Sequence, residues 1–313
     1  MKPMRYRVLV GLAAILLTAC PGPRGTGPDG STDTLNVQVA SYDLAVGKPQ
    51  RFIVGLLTLD QEFVSHGSVD MSFAFAGTKE KPVDEDFGKD QEAEFLPLPG
   101  EPESESDRPS AGPGSHGRGV YGTQAGFDRA GFWKARVKAP LSGKTLQGVA
   151  TFEVFVEHRI PAPGDPALRT DNHVLSSPGI PQAAIDSRAA TGEIPDSHLH
   201  EATVAQAMDQ KRPALVIFST PAYCISRFCG PVTDMIADLA RQYSSKAVFI
   251  HVEIWRDHNA GEVNKAAADW LLKGGDLQEP WVFLIGSDGV IAARWDNVAT
   301  RSEVEGKLME LPG

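Results

Sequence analysis

The chain of 313 residues has only three cysteines and six methionines, and no run of lysines or arginines. Each scarcity excludes something. Nucleic acid is held by clustered basic side chains that neutralise phosphates. Here 30 Lys and Arg face 40 Asp and Glu, a formal net charge of -10, so nucleic acid is excluded as a partner. No Ser/His/Asp order, glycine-rich phosphate loop or amphipathic membrane helix stands out, and no methionine-rich run points to copper. The carboxylates of Glu101-Pro-Glu-Ser-Glu-Ser-Asp lack the fixed spacing of a calcium loop. No cofactor and no bound metal are expected. The apolar run Val8 to Leu17 is too short to span a bilayer comfortably. What remains is a 42% hydrophobic chain, enough for packed cores and long enough for two domains.

The start of the chain is not part of a fold. Lys2, Arg5 and Arg7 form a positive region before the apolar run, which ends in Leu17-Thr-Ala-Cys20. This resembles the bacterial lipobox. The resemblance implies a signal peptide over 1–19, cleavage before Cys20 and lipidation of its thiol. A Gly/Pro/Ser/Thr-rich tether then covers 20–33. The expected location is the bacterial cell envelope, lipid-anchored to a membrane and facing the extracytoplasmic space. Cys224 and Cys229 are then left as an even pair in a compartment that permits disulfides.

From 34 to 158 short period-two runs predict an antiparallel β-sandwich. They are Leu35-Asn-Val-Gln-Val, Phe52-Ile-Val-Gly-Leu-Leu, Val69-Asp-Met-Ser-Phe-Ala-Phe, Gly131-Phe-Trp-Lys-Ala-Arg-Val and Phe152-Glu-Val-Phe-Val. Between them Lys79 to Gly119 is rich in carboxylates and proline and is expected to be a solvated insertion. Asp128-Arg-Ala-Gly-Phe-Trp-Lys-Ala-Arg-Val and the closing strand resemble immunoglobulin-like extracytoplasmic domains of the FixH and YtkA type. That likeness implies a binding or spacer role without naming a ligand. The stretch 159–199, with prolines at 161, 163, 166, 178, 181 and 195, is expected to be a linker. In it His198-Leu-His200 reads as solvated.

The last part, 200–313, follows a different pattern. Thr203 to Gln206 and Thr300 to Glu303 fit helix-opening capping boxes. Leu215-Val-Ile-Phe218 is a buried strand. After it Ser219-Thr-Pro-Ala-Tyr-Cys224-Ile-Ser-Arg-Phe-Cys229-Gly-Pro231 leads into an amphipathic helix from Val232. Ala247 to Ile254, Trp281 to Ile285 and Val290 to Trp295 supply three more strands, and Ser287-Asp-Gly289 a turn. His251 reads as a packed strand residue. A thiol at a helix start is favoured as thiolate by the dipole and free N–H groups, and Arg227 adds charge.

The order β-α-β-α-β-β-α, Phe228-Cys229-Gly-Pro231 and Glu279-Pro280 together resemble the thioredoxin superfamily. The resemblance implies an α/β thioredoxin-like fold, a cis bond at Pro280 facing Cys229, and Cys229 as the attacking thiol. Val232 stands where that family has its second cysteine, so Cys224 is the available partner. The leading expectation is an extracytoplasmic thiol–disulfide oxidoreductase. It would act on thiols or disulfides of client proteins through Cys229, Cys224 and Pro280. Three alternatives stay open. One is a binding module stapled by a structural Cys224–Cys229 disulfide. Another is a peroxidase, because Thr220-Pro221 and the cysteine spacing resemble some peroxiredoxins. The third is a copper chaperone resembling the Sco type, with His251 or His258 as the distant imidazole.

Overall fold

The computed structural model describes residues 34–101, 106–112 and 117–312. The expected signal peptide, Cys20 and the tether lie outside the described residues. The N-terminal part is built of strands. They are β1 (Asn36–Val39), β2 (Gln50–Leu57), β3 (Val64–Ser65), β4 (Ser68–Gly77), β5 (Gln91–Pro97), β6 (Ser110–Ala111), β7 (Gly119–Ala125), β8 (Gly131–Leu141) and β9 (Lys144–Val154). Seven of them form one sheet in the order β1-β2-β7-β5-β4-β8-β9, and β3 pairs with β6. Every pairing is antiparallel.

The expected sandwich has two sheets; here the two halves are continuous. The cause is β5, which pairs with β4 at Ser68–Met71 and then with β7 at Gly119–Gly122. It lies inside the segment expected to be a solvated insertion. Its Gln-Glu-Ala-Glu-Phe alternation turns Glu92 and Glu94 outward and buries Ala93. The neighbouring carboxylates are also explained. Glu85 pairs with Arg129 just before β8, while Asp84 pairs with Lys134 and Asp90 with Arg136 and Lys138, neutralising the basic face of β8.

The halves still pack face to face. Phe52 on β2 meets Phe73 on β4 at 4.9 Å and Phe152 on β9 at 4.8 Å between ring centres. The far edges close on each other, because the Leu35 N–H donates to the Gln147 carbonyl at 2.7 Å. Gly148 permits that approach, since a Cβ there would lie 2.2 Å from the Leu35 carbonyl oxygen. Gly148→Ala is expected to push β1 away and cost about 1–3 kcal/mol. An unchanged urea midpoint would show that this closure contributes nothing.

The C-terminal part has a four-stranded sheet in the order β11-β10-β14-β15. Its strands are β10 (Ala214–Ser219), β11 (Val248–Glu253), β14 (Trp281–Ile285) and β15 (Ile291–Asp296). β10 and β11 are parallel, and the other neighbours antiparallel. A short hairpin, β12 (Trp255–Asp257) and β13 (Glu262–Val263), follows β11. Both faces are covered. Leu215 and Ile217 point into one apolar cluster with α2 (Cys229–Tyr243) and α4 (Arg301–Glu310). Val216 and Phe218 point into the other with α1 (Val204–Asp209) and α3 (Lys265–Leu271). A central strand apolar at every position is what two covered faces require. Both capping boxes are present, from Thr203 and Thr300. The Ser287-Asp-Gly289 turn is present too, with Gly289 at φ 78°.

The stretch after β9 is not a free linker. Ile160, Ala167, Val174, Ile185, Ala189 and Leu199 are buried, and the Trp270 indole donates to Thr170 at 2.8 Å. Three single turns of 3-10 helix, Gln182–Ala184, Ser187–Thr191 and Ser197–His200, lie along it. Its apolar residues show no period because the segment has no regular element beyond these turns, and they pack into existing clusters, Ile160 and Ala167 with α1 and α3, and Leu199 with α2. The two parts are also joined directly. Ile53, Leu98 and Val120 share the cluster of α2 and α4, and Arg51 pairs with Glu303 at 2.7 Å.

Candidate functional site

The cysteine loop begins where β10 ends. Thr220 is buried, and the Ala222 N–H donates to the Ser187 hydroxyl at 3.1 Å, so the former linker braces the loop. Arg227 sits at φ 63°, in the left-handed region, and turns the chain back toward Cys224. Its side chain is exposed. Cys224 and Cys229 are joined in a disulfide with Cα atoms 6.0 Å apart. That separation falls within the usual disulfide range.

The helix starts at Cys229, three residues before the Val232 read from the sequence. The Cys229 N–H points at the Cys224 sulfur at 3.4 Å, and the Ser226 hydroxyl lies 3.3 Å from the same sulfur. Cys224 therefore faces the first free N–H of α2. The two thiols differ in access. Cys229, expected to attack, is fully buried; Cys224 is half-buried and its neighbour Ile225 is 98% exposed. Beside the loop Tyr223 stacks on His258 at 3.8 Å, and Trp255 meets the same ring edge-on at 5.3 Å. His258 is thus an aromatic partner here. His251 is fully buried in β11, and its Nε2 lies 3.0 Å from the Ser219 hydroxyl.

Across the loop lies Glu279-Pro280, whose peptide bond is cis. Pro280 is buried, and its carbonyl accepts from the Asn297 N–H at 2.9 Å. Both cysteine sulfurs and a Glu279 carboxylate oxygen fall within 4.8 Å of one another. Glu279 Oε2 is buried without a hydrogen-bond partner. Burial, with repulsion from Glu253, pushes the Glu279 carboxyl up to about 8. Burial also raises Glu253, which accepts from the Ser187 N–H at 2.8 Å. Burial thus favours the neutral carboxylic acid form of Glu279 next to the sulfurs.

The sign of the resulting pH dependence follows. An acid raised in the folded state keeps its proton there longer than in the unfolded chain. Its contribution to stability is complete below about 4.5 and is lost as pH rises toward about 8. Unfolding free energy should fall across that window by at most about 1.4 kcal/mol per pH unit from this group. Glu279→Gln should flatten the slope, which urea titrations at pH 5, 6.5 and 8 would read. An undiminished slope would assign it to other groups.

The sequence reading named Cys224, Cys229 and Pro280, and the fold brings all three together. It missed Glu279 as a chemical group, and it missed Glu253, Ser187, Asp186 and His200. His200, read as solvated, is fully buried beside Asp186 and His251. Leu199 is buried with it and draws the chain inward. One signal was present. His251 and Glu253 alternate within an otherwise apolar strand, so they share one face, and two polar groups on a covered face need partners. No protein-family profile, no curated protein and no solved structure matches the chain.

Proposed function

We propose that this chain is an extracytoplasmic thiol–disulfide oxidoreductase anchored to a membrane through Cys20, with Cys224 and Cys229 as its redox couple. The observation that carries the reading is the disulfide at the start of α2 with the Glu279 carboxyl, its Oε2 buried, against its sulfurs. A thioredoxin-like fold for the C-terminal part is supported by the strand order β11-β10-β14-β15, the cysteine at the helix start and the cis bond before Pro280. An immunoglobulin-like N-terminal part is supported by the antiparallel pairing and the face-to-face aromatic core.

Accessibility assigns the steps differently from the sequence reading. Cys224 is the thiol a client can reach, and the Cys229 N–H and Ser226 hydroxyl stabilise its thiolate. The Cys224 thiolate attacks a client disulfide and forms a mixed disulfide, and the first client sulfur leaves as a thiolate that takes a proton. Cys229 attacks the Cys224 sulfur as its proton passes, by way of the Glu279 carboxyl, to the departing second client sulfur. This closes the Cys224–Cys229 bond, releases the second client thiol and leaves Glu279 protonated as before. Two electrons pass to the client, and the two protons lost by the cysteines balance the two it gains. The reverse direction uses the same atoms, with the Glu279 carboxylic acid protonating the departing Cys229. An acid near 8 suits a thiol whose ordinary value is about 8.5.

The β-rich part contributes to this site from outside. The Tyr42 hydroxyl donates to the Glu279 carbonyl at 3.1 Å, and the Tyr42 N–H donates to Asp296 at 2.6 Å. It thereby holds the strand that carries Glu279 and Pro280. The deciding measurement is the equilibrium of the pair with glutathione buffers. A potential well below about -300 mV would make the bond a structural staple and overturn the proposal, whereas a higher one is expected of a working couple.

A further inference from the structure

Beneath the cysteine loop Asp186, His200 and His251 come together with no exposed side-chain surface. Asp186 Oδ2 lies 3.4 Å from His200 Nε2 and 3.5 Å from His251 Nδ1. Among the described residues these nitrogens, and His200 Nδ1, have no hydrogen-bond partner. We infer that these three side chains form a binding site for a divalent transition-metal ion of the zinc type, separate from the cysteine pair.

The donor directions carry the first argument. His251 Nε2 lies 3.2 Å from the Ser219 carbonyl oxygen and 3.0 Å from the Ser219 hydroxyl, so a ring proton on Nε2 satisfies both contacts. In that tautomer Nδ1 presents a lone pair to Asp186, which presents another. Two lone pairs facing each other in a buried site repel unless a proton or a metal ion lies between them. A proton on the ring would draw the atoms to about 2.7–2.9 Å, the length of a charge-assisted hydrogen bond. The observed gaps are too long for that. They match the donor-to-donor edge of a tetrahedron with metal bonds of about 2.0–2.1 Å, which is roughly 3.3–3.4 Å.

The surroundings carry the second. Metal-binding imidazoles and carboxylates are oriented by partners of their own. His251 is held by Ser219, whose hydroxyl is 2.8 Å from Thr233. Asp186 Oδ2, the oxygen that faces both imidazoles, also accepts from the Arg188 side chain at 2.7 Å, and Oδ1 accepts from the Arg188 N–H at 2.9 Å. The Arg188 charge is itself offset by Asp196 at 3.2 Å and Asp234 at 3.0 Å, so the neighbourhood still accommodates a dication. Two imidazoles and a carboxylate suit zinc, iron(II) or cobalt(II) better than calcium. The ligands come from two 3-10 turns of the docked segment and from β11, so the ion would fasten that segment to the sheet. Binding would then add to folding stability.

The test uses the full mature protein with its disulfide closed, which removes the thiols as ligands. After incubation with zinc and gel filtration, elemental analysis should find one zinc per chain. Cobalt(II) should give visible bands of a nitrogen/oxygen site without thiolate charge transfer. His200→Gln and His251→Gln should each weaken zinc binding at least 100-fold, and a chelator should lower the wild-type Tm. Glu279→Gln should leave the stoichiometry unchanged. No zinc in the oxidised wild type, or full retention by His200→Gln, overturns the inference. If the histidine variants do not fold, the wild-type zinc content and cobalt spectrum still decide it. Zinc bound only after reduction would place the metal at the cysteines and also overturn it. None of these outcomes depends on the redox reading.

Discussion

Cys224→Ser should reduce exchange with a protein disulfide to the uncatalysed background, whereas Cys229→Ser should keep the first step and accumulate mixed disulfides. The asymmetry comes from burial. Cys229 has no exposed surface, so a client sulfur cannot reach it, while Cys224 is half-buried next to the exposed Ile225. A hydroxyl at position 224 cannot replace the thiolate as nucleophile. With serine at 229 the mixed disulfide on Cys224 has no internal thiol to resolve it. It should be visible as a covalent adduct by non-reducing electrophoresis and mass spectrometry. The opposite pattern, with adducts on Cys229 in the Cys224→Ser protein, would restore the roles expected from the sequence. Exchange by neither single variant nor the wild type would leave the disulfide a staple.

The second large effect concerns the joint between the two parts. Asp43 is fully buried, and its carboxylate meets Arg294 at 3.0 Å and His158 at 3.1 Å and accepts from the Arg159 N–H at 3.0 Å. Burial alone would raise its pKa, but the His158 hydrogen bond and the Arg294 charge outweigh it and hold the carboxyl below its ordinary value. Arg294 also donates to the Ile160 carbonyl at 2.8 Å, so one guanidinium ties β15, the β-rich part and the start of the docked segment. Arg294→Leu leaves the Asp43 charge buried without its guanidinium partner, held only by His158 and backbone N–H groups, which should cost about 3–5 kcal/mol. Adding Asp43→Asn removes the stranded charge while keeping an acceptor for the backbone, and should recover part of the loss. Urea titration of the two variants measures both. A cost below about 1 kcal/mol for Arg294→Leu would show that water reaches the carboxylate and that the joint is loose.

Much of the C-terminal part was legible because its signals are local. The threonine capping boxes, the all-apolar β10 and the amphipathic face of α2 each arise from residues within a few positions of one another. Helix and strand periods report such patterns directly. The cysteine pair was legible for the same reason. β5 was hidden because its alternation uses glutamates and lies in an acidic stretch, where composition hides the period. The segment after β9 was hidden because its buried residues follow the shape of a surface already formed.

The sequence by itself determined the order of the main strands and helices after residue 200, the turn and cap positions there, and the placement of two cysteines where a strand passes into a helix. All of these depend on propensity and spacing along the chain. Only the tertiary structure decided which cysteine is half-exposed, that the Glu279 carboxyl is set beside their sulfurs with its Oε2 buried, and that Asp186, His200 and His251 converge from distant segments. Those properties depend on burial and on distances between residues far apart in sequence. Electrostatics in a low-dielectric interior turns those distances into chemistry.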